Sequence, residues 1–299
     1  MIKQQIYKEP GEWIVNGKVV EVLMYNENMQ RVEIITSHIN PLIKQTRTLR
    51  TRKMREKTGR FLVEGIHHVG EMLEAGWQIE ILFYAPDLLT SDFARTLVTK
   101  ISEKGIRCQC VAADVFKTIA EKENPQGIMA VVHQKQWRME DISLINFQQG
   151  VALVSPQDPG NVGTILRTMD ATGGDAMFIL EPFVGEGGNV DPYHPSVVRA
   201  SMGSIFWKPI IQTSVVGFIS WARKNEYQLI GTSAHAKLNY REARLQDRPW
   251  ILVLGSERKG LTTEQMDACD LMVSLPMRGR GSSLNLAVAA GVLLYAFGE

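Results

Sequence analysis

The residues of this chain best suited to chemistry lie in three segments of its C-terminal half, each following a short apolar run. The first segment extends from Asp158 to Arg167. Asn161 is expected to cap the helix that follows, and Gly163 to let a backbone or a ligand approach closely. Arg167 falls in the second turn of that helix, away from its apolar face. A capped surface helix without any ligand is the alternative interpretation.

The second and third segments repeat this arrangement of polar residues after an apolar run. The second, Gly255 to Gly260, places Glu257 between two glycines that permit unusual backbone angles, so its carboxylate can accept hydrogen bonds at a defined place. An ordinary glycine-rich turn is its alternative. The third, Leu275 to Asn285, joins an Arg-Gly-Arg loop to Ser283 and Asn285, which either cap the next helix or belong to a ligand site.

The elements that position these segments are predicted from apolar runs of three to six residues separated by stretches of helical length. This pattern indicates an α/β domain with a mainly parallel sheet covered on both faces. Ligands of such sheets bind outside the carboxyl ends of the strands, so we expect the three segments to converge on one crevice. The apolar run from Leu286 to Phe297 predicts a buried helix that is too short to span a bilayer. The predicted strands are Val151 to Val154, Met177 to Leu180, Leu229 to Gly231, Ile251 to Leu254 and Leu271 to Leu275.

Several common ligand sites are disfavoured by the same sequence. No GxGxxG is present, which argues against a dinucleotide cofactor and against the methyltransferases built on that fold. The stretch from Gly255 to Thr262 approaches a P-loop, but Leu261 stands where the phosphate-binding lysine must be. There is no GxSxG, and the six histidines lack the spacing of metal ligands, so no metal is expected.

The three segments, taken in order, resemble the sequence motifs of the SpoU/TrmH family of S-adenosylmethionine-dependent RNA 2′-O-methyltransferases. The matching patterns are Asn161-x-Gly163-x-x-x-Arg167, Gly255-x-Glu257-x-x-Gly260-Leu261, and Pro276-Met277 followed by Ser283-Leu284-Asn285. The similarity covers residues 150–299 and includes Asp191-Pro-Tyr and Val198-Arg199-Ala-Ser-x-Gly203. It also extends upstream, where three further motifs resemble the substrate-binding domain of that family. They are Ile35-Thr36-Ser37-x-x-Asn40-Pro41, Gly59-x-Phe61-Leu62-Val63-Glu64-Gly65 and Asn124-Pro125-Gln126-Gly127.

This resemblance implies a fold, a cofactor and a site. The expected fold is α/β, with a mainly parallel, SPOUT-like C-terminal sheet that contains a trefoil knot, preceded by a smaller α/β RNA-binding domain of ribosomal-protein-like fold. The cofactor is S-adenosylmethionine, and the family is homodimeric, with Arg167 meeting the cofactor of the other subunit. The implied catalytic residues are Arg167, Asn161, Glu257, Ser283 and Asn285. The implied cofactor-binding residues are Thr232, Leu254, Gly255, Gly260, Leu275, Met277 and Leu284.

Arg167 is the residue that the resemblance assigns to activating the ribose hydroxyl. An arginine stays protonated in proteins and is therefore a poor free base. Our hypothesis is that Arg167 clamps the adjacent phosphate and stabilises the developing alkoxide, while the proton leaves through the phosphate or a water. The other four residues are expected to orient Arg167, the ribose and the cofactor loops.

Two features depart from the family pattern. His194 stands where relatives commonly have Asn after Asp-Pro-Tyr. Residues 1–33 form an extension in which Asn16-Gly17, between two β-branched runs, predicts a β-hairpin. No chemistry is assigned to this extension.

Charge in the N-terminal half is concentrated between Lys44 and Arg60, where eight basic residues accompany one acid. The whole chain has a formal net charge of only +1. A local excess of this size attracts a polyanion, although a solvated helical face is the alternative. A basic helix is predicted from about Asn40 to Glu56. The residues expected to contact RNA are Lys44, Arg47, Arg50, Arg52, Lys53, Arg55 and Arg60.

Length and composition fit a protein of two domains. The 299 residues are 44% hydrophobic and 22% charged, which is typical of globular proteins. We expect the 1–33 extension, an RNA substrate-binding domain over 34–135, a linker over 136–149 and a methyltransferase domain over 150–299. Three cysteines without a CxxC pattern, and an N-terminus without an apolar signal region, favour a cytoplasmic protein with free thiols.

The sequence therefore predicts an enzyme that methylates a ribose 2′-hydroxyl of structured RNA, with rRNA favoured over tRNA. One alternative is a non-catalytic RNA-binding protein that retains the scaffold. The intact set of Arg167, Glu257, Ser283 and Asn285 argues against it. Another alternative is an enzyme of the same fold that modifies a base, and the Ser283-Leu284-Asn285 motif favours the ribose instead.

Overall fold

The computed structural model describes the backbone of residues 12–15 and 18–21, and residues 33–142, 146–181 and 189–298 in full. Strands β1 (Glu12–Val15) and β2 (Lys18–Glu21) pair antiparallel, with Val15 opposite Lys18. The Asn-Gly pair predicted to form their turn lies outside the described residues. The chain divides into two compact units, Met1–Gln134 and Lys135–Glu299.

The N-terminal unit is built on a four-stranded sheet of order β3-β6-β4-β5. Its central strand β6 runs antiparallel to both neighbours, whereas β4 and β5 are parallel. Five helices accompany the sheet among the described residues. The strands are β3 (Arg60–Glu64), β4 (Ile79–Tyr84), β5 (Cys108–Cys110) and β6 (Ile128–His133). The helices are α1 (Pro41–Thr48), α2 (Arg52–Thr58), α3 (Ile66–Glu74), α4 (Asp92–Glu103) and α5 (Ala113–Ile119).

The single basic helix predicted from the sequence is wrong, because the chain breaks between α1 and α2. Leu49 turns into the core at the break and is almost fully buried. The guanidinium of Arg55 donates to the carbonyl oxygens of Leu49 and Arg50 at 2.9 and 2.8 Å. These contacts satisfy carbonyl groups at the break that would otherwise lack partners, so a buried side chain stabilises the interruption.

The C-terminal unit is built on a seven-stranded sheet of order β11-β13-β10-β12-β7-β8-β9. Every recorded strand pair in it is parallel, as the sequence predicts for a mainly parallel sheet. The strands are β7 (Gln149–Val154), β8 (Ala176–Glu181), β9 (Ile210–Ser214), β10 (Gln228–Thr232), β11 (Leu238–Asn239), β12 (Trp250–Leu254) and β13 (Leu271–Ser274). The helices are α6 (Pro159–Ala171), α7 (Pro195–Ala200), α8 (Val215–Lys224), α9 (Thr263–Asp267) and α10 (Leu286–Phe297).

Both faces of this sheet are covered. Ala152 and Val154 of β7 belong to a cluster that includes Phe178 and Phe218. Side chains alternate along a strand, so Val151 and Leu153 lie on the opposite face, and they are fully buried as well. A strand that is buried on both faces must be apolar throughout, which explains the continuous apolar runs in the sequence.

The strand order reverses at β7. Strands β8 and β9 follow on one side of it, whereas β12, β10 and β13 lie on the other. Parallel α/β sheets bind ligands at such a reversal, beyond the carboxyl ends of the strands. We call the edge at which β7, β10, β12 and β13 end the carboxyl edge. The trefoil knot stays a prediction, because strand order alone does not define how the chain threads.

Helix α10 is less buried than its sequence predicts. Ala290, Leu293 and Leu294 are fully buried, but Val288, Val292 and Tyr295 are 52%, 37% and 59% exposed. The expectation of a wholly buried helix is therefore wrong for the described chain, which covers α10 on one side only. Within the described residues no helix combines the length and apolar character needed to cross a membrane.

Candidate functional site

Helix α6 carries the first polar segment, and its start differs from the prediction. Asp158, not Asn161, caps the helix, with its Oδ1 accepting from the backbone N–H of Gly160 at 2.6 Å. Pro159 follows at the first helical position, where its missing N–H costs nothing. The cap therefore lies three residues earlier than expected. Asn161 is left inside the first turn, nearly buried, with its side chain available for other partners.

Glu257 accepts hydrogen bonds from three donors at the start of this segment. Its carboxylate receives the backbone N–H groups of Gln157 and Asp158, at 3.1 and 3.3 Å, and the Nδ2 of Asn161 at 3.1 Å. The residues joined by these bonds are 96 to 100 positions apart in the sequence. An exposed carboxylate is thus held in one place by three donors.

The turn that contains Glu257 depends on two glycines for different reasons. A Cβ on Gly255 would lie 2.1 Å from the carbonyl carbon of Gly260, so only glycine leaves room for the closing of the turn. Gly260 has a φ of +64°, which L side chains rarely adopt. The turn closes through a hydrogen bond from the Gly260 N–H to the Ser256 carbonyl at 2.9 Å. Both glycines therefore serve to fix the position of Glu257.

Asn285 joins the third segment to the first. Its Oδ1 caps α10 by accepting from the N–H groups of Ala287 and Val288, at 2.8 and 3.3 Å. Its Nδ2 donates to the Oδ1 of Asn161 at 2.9 Å. The helix cap fixes which end of the Asn285 amide is the donor, which in turn makes Asn161 donate to Glu257. The result is one polarised chain of hydrogen bonds, the Asn285–Asn161–Glu257 network, that links all three predicted segments.

Arg167 and Ser283 stand outside this network. Both are exposed, and neither side chain forms a hydrogen bond or ion pair with any residue that the structure describes. Arg167 lies six residues beyond Asn161 on α6. Of the five predicted catalytic residues, three hold the site together and two are available to a substrate.

The predicted cofactor-binding residues lie at the ends of three neighbouring strands. Thr232 ends β10, Leu254 ends β12 with Gly255 after it, and Leu275 follows β13. Because β10 pairs with both β12 and β13, these ends are side by side at the carboxyl edge. In the loop beyond β13, Met277 and Leu284 expose large apolar side chains, which an aromatic ring of a ligand could cover. These features fit the adenosine and methionine parts of S-adenosylmethionine.

The segment after β8 explains two further sequence features. The Nδ1 of His194 accepts from the Ser196 N–H at 3.1 Å and so caps α7, which is a role that asparagine also fills well. A Cβ on Gly163 would lie 2.6 Å from the carbonyl oxygen of Val197. The close approach that Gly163 permits is therefore that of α7, and the departure at His194 keeps a helix cap.

Five of the eight basic residues between Lys44 and Arg60 are engaged within the N-terminal unit. Arg55 is only 1% exposed and bonds to carbonyl groups, so the expectation that it contacts RNA does not fit its position. Arg47 donates to Thr118 at 2.9 Å and so connects α1 to α5. Arg50 donates to the carbonyl of Ala120 and so connects the break to the C-terminal end of α5.

Two more of the predicted RNA-binding arginines form ion pairs at the surface. Arg52 meets Glu56 at 2.6 Å, and Arg60 meets Glu80 at 2.7 Å. Three lysines of the same stretch are exposed and have no partner among the described residues, namely Lys44, Lys53 and Lys57. Sequence reasoning had left Lys57 out of the RNA-binding set, although it lies within the same basic run.

The cysteines carry no chemistry that the site uses. Burial raises the pKa of Cys108 to about 11 and that of Cys269 to about 12, so both thiols stay protonated at neutral pH. Cys110 is also free, and it is more deeply buried than the other two, which are partly buried. Among the described residues, no three His, Cys, Asp or Glu side chains form a group that could hold a metal ion.

Both units of the chain match known protein families. Residues 148–295 match the model of the SpoU rRNA Methylase family, and residues 40–130 match the MRM3-like substrate binding domain. The chain is 32% identical over 262 residues to a 23S rRNA (guanosine(2553)-2′-O)-methyltransferase of Bacillus subtilis, covering 87% of this chain and 97% of the relative. It is 32% identical over 254 residues to a 23S rRNA (uridine(2479)-2′-O)-methyltransferase of Streptomyces viridochromogenes, with 83% and 85% covered.

A solved structure agrees with these sequence matches. The crystal structure of an AdoMet-bound rRNA methyltransferase from Sinorhizobium meliloti superposes with a TM-score of 0.79 at 32% identity, covering 89% of this chain and 97% of that chain. The shared fold and the aligned length of both units leave one conclusion. This chain belongs to the SpoU rRNA methylase family.

Proposed function

We propose that this protein transfers a methyl group from S-adenosylmethionine to a ribose 2′-hydroxyl of ribosomal RNA. The observation that carries the proposal is the Asn285–Asn161–Glu257 network, which brings the three motif segments to one carboxyl edge. Relatives that cover most of this chain are 23S rRNA 2′-O-methyltransferases, which favours rRNA as the substrate and the ribose as the methylated part. An enzyme that modifies rRNA acts where ribosomes are assembled, so we place it in the cytoplasm.

In this proposal the Asn285–Asn161–Glu257 network holds the three motif segments in position, and Arg167 acts on the substrate. When bound, S-adenosylmethionine supplies a methyl group on a sulfonium, which is open to in-line attack by an oxygen. The guanidinium of Arg167 is exposed and unpaired within the described chain, so it can hold the phosphate next to the target ribose. There it stabilises the negative charge that develops on the 2′-oxygen. Arginine keeps its proton, so the hydroxyl proton passes to the phosphate or to a water.

Ser283 is assigned to the substrate side of the same crevice. Its hydroxyl is exposed two residues before Asn285, whose position the network fixes. A hydroxyl held near a fixed point is suited to orienting a sugar. The backbone and side chains around Thr232, Gly255 and Leu275 are assigned to the cofactor, together with Leu254, Gly260, Met277 and Leu284.

A homodimer is the second part of the proposal. Val288, Val292 and Tyr295 are spaced by four and three residues, so they form one apolar stripe on the exposed side of α10. Helix α10 packs against α6, which carries Arg167. A second copy that covers the stripe would bury it and would approach the catalytic arginine at the same time.

The enzymatic activity is tested with the purified chain and deproteinised rRNA of the large ribosomal subunit. We expect calorimetry to show binding of S-adenosylmethionine, and radiolabelled donor to transfer methyl groups to the RNA. Ribose methylation is then mapped in RNA from cells that lack the gene, where one methylated 2′-position should be missing. Donor binding without transfer would support a non-catalytic RNA-binding protein, and label on a base would support a base-modifying enzyme.

The dimer is tested by a charge in the apolar stripe. Val292→Glu should give a monomer in sedimentation analysis and lose methyl transfer. The matched control is Val216→Glu, because Val216 is 75% exposed on α8. A wild-type protein that sediments as a monomer at the concentrations used for assay would contradict the dimer.

A further inference from the structure

Four cations at the carboxyl edge have no role in the site described so far. Arg258 and Lys259 lie in the turn after β12, and Arg278 and Arg280 lie in the loop after β13. All four are exposed, and none of their side chains forms a hydrogen bond or ion pair with any residue in the described part of the chain. We call these residues the edge cations.

The loops that carry the edge cations begin on both sides of the expected cofactor position. Strand β10 lies between β12 and β13 in the sheet, so the strand ends at which the two loops begin are two strand spacings apart. That separation is about 10 Å at about 4.8 Å per strand. Thr232, at the end of β10, falls between them. The two loops that carry the cations therefore begin on either side of the strand end that is assigned to the cofactor.

The turn that carries Arg258 and Lys259 is held in place. The backbone N–H of Lys259 donates to the Oγ of Ser256 at 3.3 Å, and the preceding Glu257 is fixed by its three donors. Less entropy is lost when a ligand binds to a surface that is already ordered. The conformation of the turn does not depend on the side chains of Arg258 and Lys259, which leaves them available for a partner.

The net positive charge of these two loops indicates that their ligand is an anion with several charges. From Gly255 to Thr262 and from Leu275 to Asn285, Glu257 is the only acid, and its carboxylate already accepts three hydrogen bonds. S-adenosylmethionine carries a sulfonium, an ammonium and a carboxylate, so its net charge is positive and it can occupy at most one of four cations. An RNA backbone offers one phosphate per nucleotide and can engage them all.

We infer that the edge cations form a second RNA-binding surface, which holds the phosphates on both sides of the target nucleotide at the carboxyl edge. The inference rests on the proposed function, because it places the substrate RNA across the methyl donor. It also assigns part of the RNA binding to the C-terminal unit itself. The contacts are ionic and sequence-independent, and they position the ribose rather than select it.

The test compares salt dependence of RNA binding in matched variants of the full chain. The test variant is Arg258→Gln, Lys259→Gln, Arg278→Gln and Arg280→Gln combined, and the probe is a labelled single-stranded RNA. Four phosphate contacts contribute about 3 to the slope of log affinity against log salt, at about 0.7 each. Between 50 and 200 mM salt, the wild-type protein should therefore lose about 50-fold more affinity than the variant does. Its KM for rRNA should rise with kcat nearly unchanged.

The control removes as much charge as one pair of edge cations, but at the other end of the strands. Arg223→Gln with Lys224→Gln changes two exposed cations at the C-terminal end of α8, next to the start of β10. It should leave the salt slope unchanged, whereas each pair of edge cations should lower it by about 1.4. An unchanged slope in the fourfold variant overturns the inference. So does a loss of S-adenosylmethionine affinity without a change in slope, which would assign the cations to the donor.

Failure of the proposed function gives a different result. If the wild-type protein binds no donor or transfers no methyl group, the enzymatic proposal is contradicted. The binding slopes need no turnover, so they still decide whether the edge cations contact RNA.

Discussion

The basic segment Lys44 to Arg60 and the carboxyl edge of the C-terminal sheet use their cations in opposite ways. The basic segment has eight cations, yet Arg47, Arg50 and Arg55 all donate to groups of their own unit. Arg167 on α6 and the edge cations, by contrast, have no partner in the described chain. The density of charge in the sequence therefore does not measure how much charge is available to a ligand.

The difference has a physical reason. A guanidinium with five donors can satisfy carbonyl groups where a chain breaks or a helix ends, and Arg55 does so at the break between α1 and α2. At the carboxyl edge the backbone groups are satisfied by glutamate and asparagine side chains instead. The cations there have no partner among the described residues and are available to a ligand.

The largest expected effect comes from Arg167→Ala. We expect kcat for methyl transfer to fall by at least about 10²- to 10³-fold, because the charge on the 2′-oxygen loses its stabilising donor. S-adenosylmethionine affinity, measured by calorimetry, should change less than about twofold, since no described residue depends on Arg167. Arg223→Ala is the matched control on α8. A loss of S-adenosylmethionine affinity as large as the loss of kcat would contradict the comparison, because Arg167 would then be needed for the structure of the cofactor site.

Glu257→Gln tests whether the Glu257 carboxylate is needed to hold the cofactor loops at the carboxyl edge in place. The carboxylate now accepts hydrogen bonds from three donors, and a glutamine would place its NH₂ group against at least one of them. Hydrogen bonds to charged groups contribute about 1.5–3 kcal/mol, so S-adenosylmethionine affinity should fall by about 10- to 100-fold. Glu242→Gln, at an exposed glutamate beyond β11, should leave it unchanged. Wild-type affinity in the Glu257 variant would show that the network does not position the cofactor loops.

Arg55→Ala separates structural from ligand-binding charge within the basic segment. Removing the guanidinium leaves the carbonyl groups of Leu49 and Arg50 without their buried donor. We expect the free energy of unfolding to fall by about 1–3 kcal/mol in urea denaturation. The salt slope of RNA binding, measured below the unfolding transition, should stay at the wild-type value. A lower slope would mean that Arg55 reaches RNA after all.

A smaller effect is expected from the three available lysines of the basic segment. Lys44→Gln, Lys53→Gln and Lys57→Gln combined should lower the salt slope for single-stranded RNA by about 2, at about 0.7 per contact. The matched control is Arg52→Gln, which removes a cation that is paired with Glu56. An effect of Arg52 larger than that of each lysine would show that the ion pair opens to bind RNA.

His194→Asn should have the smallest effect. Asparagine is a strong helix cap and can accept from the Ser196 N–H as His194 does. The midpoint of thermal unfolding should shift by no more than about 2 °C, which corresponds to less than about 0.5 kcal/mol. Methyl transfer should be unchanged. A clear loss of transfer with an unchanged midpoint would give His194 a chemical role beyond capping.

Local patterns in the sequence predict much of the C-terminal unit. The five predicted strands all occur. For β7, β8 and β12 the reason is burial on both faces, which requires apolar residues along nearly the whole strand. The three motif segments follow strand ends as expected, and their family is confirmed. The same reasoning misplaced the cap of α6, since Asp158 and Asn161 are both good caps and Pro159 decides between them.

The sequence by itself determined five strands of the C-terminal sheet, the motif segments and the family of this protein, because each strand and each motif is a pattern of residues close together in the chain. The tertiary structure decided which polar groups meet. Asn161 forms hydrogen bonds with Glu257 and Asn285, which are 96 and 124 residues away in the sequence. Arg55 is buried at a helix break that the periodicity of the sequence does not predict. The tertiary structure also left one side of α10 exposed. Hydrogen bonds and burial between distant segments depend on how the sheet orders its strands, and no local pattern contains that order.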